Sequence, residues 1–474
     1  MEDWIIEARK LLRSSLQPIP HELNNLDWKI ALSEDKNRIA EHISAFANTT
    51  GGGYFAFGVN DDGSFAQLTK EQTDAITDKI GNIARNRLDP PIGVDARIVE
   101  IEDNAVLLVR VPESPIKPVH LRNRGIDESF RRSAAHTVKL SREELGYMLA
   151  ASQGISYTEM VAMPNVEGEE VLDLLDYDSY FRLGKIRFPE TRTGILQVLV
   201  GDNLIKKQGE RYDILNLGAL LFARNMEQFR RLQRKTVRII TYKNGSRLNA
   251  LREYEWTQGY ASGFEGLITY IIGQLPTEEI IESALRRTEG LYPEVAIREL
   301  LANALIHQDF TISGRNIMVE IFTNRIEITN SGLPNITTDR FIDVSPQPRN
   351  DDLARLMRRM NICEDRGTGV DRAIEALEER GLPAPKFSVG DNYTQVTIYN
   401  TLDIAQMSDR DKVQNCYLHV CLAFLKGEKA TISSVAQRFR TDEKQAQKIV
   451  EMSIAQELIA PSTTDSDCFI PYWA

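Results

Sequence analysis

The stretch AIRELLANALIHQDF, Ala296 to Phe310, decides how the second half of the chain is read. Its apolar residues Ile297, Leu300, Leu301, Ala304 and Leu305 recur at helical spacing, while Glu299, Asn303 and His307 fall four apart, so a helix carries all three on one face. A carboxylate, a carboxamide and an imidazole in register either face water or line a site, and spacing alone leaves both readings open. Working outward, strands are expected at NIMVEIF (316–322), RIEITN (325–330) and TQVTIYN (394–400). Glycine turns fall between them, ITNSGLP at Ile328 to Pro334 and EDRGTGVDRA at Glu364 to Ala373. Helices alternating with strands over 271–403 read as an α/β sandwich. Arg349, Arg355, Arg358 and Arg359 lie between the two turns. At helical spacing the last three share a face, which is either solvated or a contact for phosphates or a partner subunit.

The polar stripe, the two glycine turns and the closing strand, taken in that order, resemble the GHKL (Bergerat-fold) ATP-binding domains. The resemblance implies that the Asn303 oxygen coordinates the Mg²⁺ bridging the ATP phosphates and that Glu299 orients an attacking water. It implies that Gly367 and Gly369, with Arg366 beside them, let backbone amides approach phosphate. Asn330 and Gly332 fall on the adenine side, Thr397 on the closing strand, and His307 joins the ATP-binding set, the alternative being a structural histidine packed under the lid. One position departs from the family, since Asn330 stands where an adenine-reading Asp is usual. Asn still accepts a hydrogen bond through its carbonyl oxygen, but less strongly than a carboxylate. ATP is the implied ligand.

At the other end, HELNNLDWK (His21 to Lys29) sets Glu22 and Asp27 five residues apart, followed by Trp28 and Lys29; farther on, GGGYFAFGVNDDG (Gly51 to Gly63) reads as a strand and turn containing Asp61 and Asp62. Convergent carboxylates are what Mg²⁺ or Mn²⁺ needs to activate water against a phosphodiester, and Lys29 is placed to steady a phosphate. In a chain with 68 acidic residues the same spacing also fits solvated faces.

The element E-x4-[DE]-[FW]-K, then AFANTTGGG (Ala45 to Gly53) and FGVNDDG (Phe57 to Gly63), resembles the Schlafen AlbA-type domain. KPVH (Lys117 to His120) and SFRRSAAHT (Ser129 to Thr137) extend the resemblance to roughly residues 15–150. By resemblance, Glu22, Asp27 and Asp61 form a metal-binding nuclease centre, with Asp27 one methylene shorter than the usual Glu. Arg122, Arg124, Arg131, Arg132 and Lys139 would line a phosphate path, the alternative being a solvated basic edge. Arg131 and Arg132 are adjacent, so on a strand one alone can point into a shared groove.

The 474 residues exceed what one core usually organises. The expected architecture is α+β multidomain: a Schlafen-like α/β domain over 1–150, a helical connector over 151–270, the GHKL sandwich over 271–403, and a tail over 404–474. The connector contains ILNLGALLFA (214–223) and the basic run FRRLQRKTVRIITY (229–242). The tail reads as three helices and a strand pair, the outline of a winged helix; a small helical docking or dimerisation unit is the equal alternative.

A net charge of −11 argues against global electrostatic coating of nucleic acid and confines any such site to a patch. Four scattered cysteines suit neither a disulfide framework nor a zinc site. The start, MEDWIIEARKLL, reads as an acidic amphipathic helix, no apolar run reaches membrane-spanning length, and a cytoplasmic protein is expected.

The expected function is an ATP-responsive nucleic-acid-binding protein, an oligomer whose first domain cleaves RNA or DNA with divalent metal in a prokaryotic defence or stress setting. A non-catalytic, ATP-sensing transcriptional regulator and an oligomeric scaffold with structural ATP are the alternatives.

Overall fold

In a computed structural model the chain divides into two units, Met1–Tyr157 and Thr158–Ala474. The structure describes residues 3–16, 23–101, 104–133, 135–282, 285–312, 314, 316–344, 347–364, 367–390, 392–401, 403–463, 465 and 467–474.

The first unit opens with α1 (Asp3–Leu16), β1 (Leu26–Lys29), α2 (Lys36–Asn48), β2 (Gly53–Phe57) and α3 (Lys70–Asn86). It continues with β3 (Asp95–Ile101), β4 (Asn104–Val111), β5 (Phe130–Ser133), β6 (His136–Lys139) and α4 (Arg142–Ser152). Its main sheet runs β1-β2-β4-β3, with β1 and β2 parallel and the other pairs antiparallel. Asp35 starts α2 by accepting from the Asn37 amide at 2.9 Å, which satisfies an amide that has no partner within the helix. The Ile39, Ile43 and Phe46 side of α2 is buried against Phe55, Phe57, Leu107 and Val109.

The AFAN segment owes its pattern to packing. Asn48 donates to the Val119 and Phe130 carbonyls, each at 2.9 Å, and accepts from the Val119 amide at 2.7 Å, so one carboxamide ties the helix to two other segments. Gly53 follows because a Cβ there would stand 2.0 Å from the Phe46 ring.

The second unit begins with β7 (Val161–Val166), α5 (Gly168–Leu174), α6 (Tyr177–Gly184), α7 (Arg192–Gly201), β8 (Ile205–Gln208), β9 (Arg211–Leu215) and α8 (Asn216–Phe222). The expected helical connector thus includes a three-stranded antiparallel sheet, β8-β9-β7. Next come β10 (Val237–Tyr242), β11 (Ala250–Trp256), α9 (Phe264–Gln274), α10 (Glu294–Ile306), β12 (Ile317–Ile321) and β13 (Arg325–Ser331). After these lie α11 (Asp351–Arg359), α12 (Gly369–Glu379), β14 (Lys386–Val389) and β15 (Tyr393–Tyr399). A six-stranded sheet runs β11-β10-β12-β13-β15-β14.

The sandwich was expected to begin at 271, but β10 pairs parallel with β12, Val237 opposite Ile317, so its sheet takes two strands from the expected connector. The basic run conceals this, because Val237 and Ile239, buried on one face, alternate with the half-buried Arg238. On the sheet's other face, Glu320 and Glu327 are cross-strand partners joined by Arg247, at 2.8 and 2.5 Å.

The tail holds α13 (Asp409–Lys426), α14 (Ile432–Phe439), α15 (Glu443–Ala455) and the antiparallel ribbon β16 (Ile459–Pro461) and β17 (Phe469–Pro471). Its core, with Tyr417, Val435, Phe439 and Ile449, is continuous with Ile374 of α12. Glu378, near the end of α12, pairs with His419 of α13 at 3.2 Å and with Arg438 of α14 at 3.1 Å. All four cysteines are free thiols. No helix among the described residues is long and apolar enough to cross a membrane.

Candidate functional site

One pocket of the second unit collects side chains from four separated stretches of sequence. From α10 come Glu299 and Asn303, with His307 at its C-cap; from β13, Asn330; from the glycine turn, Gly367 and Gly369; from β15, Thr394 and Val396. The stripe on α10 therefore lines a cavity. The opposite side of the helix, with Ile297, Leu301 and Leu305, is fully buried.

Gly369 opens α12 directly against the stripe, where a Cβ would come within 2.8 Å of Glu299 Oε2 and 3.9 Å of Asn303 Nδ2. The N-terminus of α12, whose first amides have no partner within the helix and which is the positive end of its dipole, thus faces the carboxylate and carboxamide. Arg372, one turn along, reaches Glu299 Oε1 at 3.0 Å. Burial raises the Glu299 carboxyl above its usual range, and Arg372 works against that rise. Asp371 beside it is pushed up to about 6, by burial first and by Asp343 next. Burial, then Arg349 and Arg358, push the His307 imidazole down to about 4, so it is neutral at physiological pH.

Asn330 donates to the Ser331 carbonyl at 3.3 Å and lies directly across the sheet from Thr394. Thr394 donates to the Gly332 carbonyl at 2.8 Å. Gly332 itself supports the pocket from behind: its φ is +103°, and a Cβ would meet Asp309 Cβ at 2.7 Å.

Thr397, expected in this site, points away from it. Successive residues of a strand alternate faces, so Thr394 and Val396 share the pocket side while Thr397 sits opposite Glu327 on the other. Arg366 lies outside the described residues. Sequence reasoning missed Thr394, Phe341, Arg349, Cys363 and Glu364, all of which line the pocket. The register of β13 against β15 identifies Thr394, and register is not readable from either strand alone.

Asn303 is half-buried in this lining and offers an oxygen ligand of the kind Mg²⁺ takes together with substrate phosphates, so the pocket fits a Mg²⁺-nucleotide.

The first unit carries the acidic residues expected to hold metal. Asp27 on β1 is wholly buried, with Lys29 Nζ at 3.1 Å from Oδ1 and His42 Nδ1 at 2.7 Å from Oδ2. Both oxygens thus face cationic or N–H groups. Asp61 is exposed in the turn after β2, and its neighbour Asp62 accepts from the Ser64 amide and hydroxyl at 2.9 and 2.6 Å. Among the described residues no three His, Cys, Asp or Glu side chains are grouped to hold a metal ion, and Glu22, the third member of the centre that the resemblance implies, lies outside them.

The basic path is also revised. Arg132 is buried, donating to the Asn24 and Leu23 carbonyls and to Thr137 Oγ1, with its guanidinium 5.1 Å from the Phe46 ring centre. It is a packing residue, as strand alternation requires of one member of the Arg131–Arg132 pair. Arg131 pairs with Glu144 at 2.7 Å, and Lys139 with Glu128 at 2.5 Å. Arg122 and Arg124 are exposed, Arg124 standing 4.0 Å from Glu128.

The chain thus joins a mixed α/β unit of the AlbA kind to a sandwich whose pocket lies at a helix N-terminus. Residues 22–141 match the family model Schlafen, AlbA_2, and residues 314–398 match HATPase_c_4, described as "Putative ATP-dependent DNA helicase recG C-terminal". The protein is a fusion of these two domain types. The second match opens after α10, so the Glu299, Asn303 and His307 stripe precedes it.

Among solved structures, the DIP2311 protein from Corynebacterium diphtheriae is similar over 98% of this chain and 96% of its own, at 17% identity and a TM-score of 0.44. The N-terminal domain of a "Putative ATP-dependent DNA Helicase RecG-related Protein" from Nitrosomonas europaea is similar over 28% of this chain and 95% of its own, at 21% identity and a TM-score of 0.22. No curated protein matches the chain.

Proposed function

We propose that this protein binds ATP in its second unit and contacts nucleic acid through its first, with nucleotide occupancy as the signal that alters the contact. The observation that carries the reading is the pocket itself, which brings Glu299, Asn303, Asn330 and Gly369 together from distant parts of the sequence. Bound Mg²⁺, held by Asn303 and the nucleotide, would neutralise phosphate charge. The α12 N-terminus presents amides to the phosphates, Asn330 offers its carbonyl oxygen to the adenine amine, and the neutral His307 adds no positive charge of its own.

For the first unit, the exposed Arg122 and Arg124 are the cations we assign to phosphate contact. The engagement of Asp27 by Lys29 and His42 favours binding without cleavage, as in a nucleotide-sensing regulator, over a metal-dependent nuclease with a defence role.

The test is calorimetric titration of the protein with Mg²⁺-ATP, followed by shift assays with labelled RNA, single-stranded and duplex DNA, with and without ATP and Mn²⁺. ATP binding together with a nucleic-acid shift that changes on adding ATP supports the reading. Metal-dependent cleavage that an Asp61→Ala variant loses would replace it with the nuclease. Absence of ATP binding would remove the nucleotide half of the proposal.

A further inference from the structure

We infer that Arg358 is the phosphate-reading residue of the pocket: its guanidinium, carried on α11 at the pocket wall, takes as its counter-ion the polyphosphate tail of the bound nucleotide. The inference rests on the ATP-binding reading and deepens it.

The arginines between the two glycine turns are engaged, with this one exception. Arg340 donates to Asp343 Oδ1 at 2.8 Å, and Arg355 pairs with Asp352 at 3.0 Å. Arg359 holds Asp202. Arg349 lines the pocket too, but it reaches Asp309 at 3.1 Å and the Leu333 carbonyl at 2.6 Å. Arg358 is half-buried in the lining and, among the described residues, its side chain has no hydrogen-bond or ion-pair partner.

Its position is fixed by packing, because Leu353, Leu356 and Met357 are wholly buried and anchor α11. Among the described lining residues the two glutamates are engaged elsewhere. Glu299 is taken by Arg372, and Glu364 accepts from the Thr368 amide at 3.5 Å.

A guanidinium drawn partly out of water with no anion beside it carries an uncompensated desolvation cost, which an anionic ligand removes. Its planar fork matches phosphate oxygens in two parallel hydrogen bonds. The chemical class selected is therefore a nucleoside polyphosphate over the bare nucleoside.

The experiment is calorimetric binding of Mg²⁺-ATP and of adenosine to the full chain and to its Arg358→Ala and Arg358→Lys variants. Losing a charge-assisted contact should weaken ATP by about 10- to 100-fold in Arg358→Ala and less in Arg358→Lys, with adenosine changed by less than about twofold. Unchanged ATP affinity in Arg358→Ala overturns the inference. So does an equal loss for ATP and adenosine, which would make the arginine a shaping residue of the wall. If the wild-type chain binds neither ligand, the nucleotide reading fails and this inference with it; wild-type binding that is insensitive to Arg358 sinks the inference alone.

Discussion

Asn330 on β13 and Thr394 on β15 are direct cross-strand partners on the pocket side of the sheet, while Thr397, three residues on, faces the other way. Removing the Asn330 carboxamide should weaken ATP by about 10-fold, the value of one buried hydrogen bond, and Asn330→Asp should bind ATP at least as well as wild type. Thr394→Ala should weaken ATP and Thr397→Ala should not. Calorimetry on the four variants checks this, and equal losses from both threonine variants would refute the assignment of faces.

Gly369 has no room for a side chain. Its added Cβ would meet Glu299 Oε2 at 2.8 Å, at the point where the α12 amides face the pocket. Gly369→Ala should therefore cost ATP at least about 10-fold in affinity while the helix content seen by circular dichroism stays unchanged, since Ala is the better helix former. An affinity equal to wild type would mean that Glu299 gives way freely.

His307 makes the second unit sensitive to acid. In the folded chain burial holds its imidazole at about 4, against 6.5 for an unperturbed histidine. Between those values the unfolded chain binds the extra proton, so stability rises with pH. The His307 contribution is complete above about pH 6.5 and is lost progressively toward about pH 4, with a total on the order of 1 to 3 kcal/mol. Urea unfolding at about pH 7.5 and about pH 5 should show this loss in wild type and a smaller one in His307→Gln. Identical pH dependence in the two proteins would count against the buried neutral imidazole.

Arg132 should register as a stability residue. Truncating it to Ala takes one donor from each of the Leu23 and Asn24 carbonyls and from Thr137 and removes the cation over Phe46. The expected cost is about 2 to 4 kcal/mol in thermal or denaturant unfolding of the first unit. Arg122→Ala and Arg124→Ala should leave stability unchanged within about 0.5 kcal/mol and weaken nucleic-acid binding with a reduced salt dependence. The opposite pattern, in which Arg132→Ala unfolds nothing and loses nucleic acid, would restore it to the phosphate path.

The second unit was legible where periodicity and chemistry coincided. Glu299, Asn303 and His307 recur every four residues, and α10 places them in one cavity as that spacing requires. Glycines at 367 and 369 marked a wall of the cavity, and at Gly369 the approach to Glu299 leaves no room for a side chain. What was not legible depended on distant partners. Which threonine of TQVTI faces the pocket follows from the register with β13, and β10 belongs to the six-stranded sheet because of a parallel partner far along the chain. In the first unit the resemblance pointed to Asp27, but its neighbour His42 comes from α2, and nothing in the local pattern of either segment announces the pair.

The parallel pairing of β10 with β12 also has a meaning in time. During synthesis Val237–Tyr242 and Ala250–Trp256 leave the ribosome together and can pair at once as an antiparallel hairpin. The strand that must lie on the inner side of that hairpin, Ile317–Ile321, follows only after α9 and α10 have emerged. The sheet is therefore finished from its edge inward, and the interval between these segments is when the inner side of β10 lacks its neighbour. A translational stall after Trp256 and before Ile317 would prolong that interval, whereas the same stall after Ile321 would find the neighbour already made.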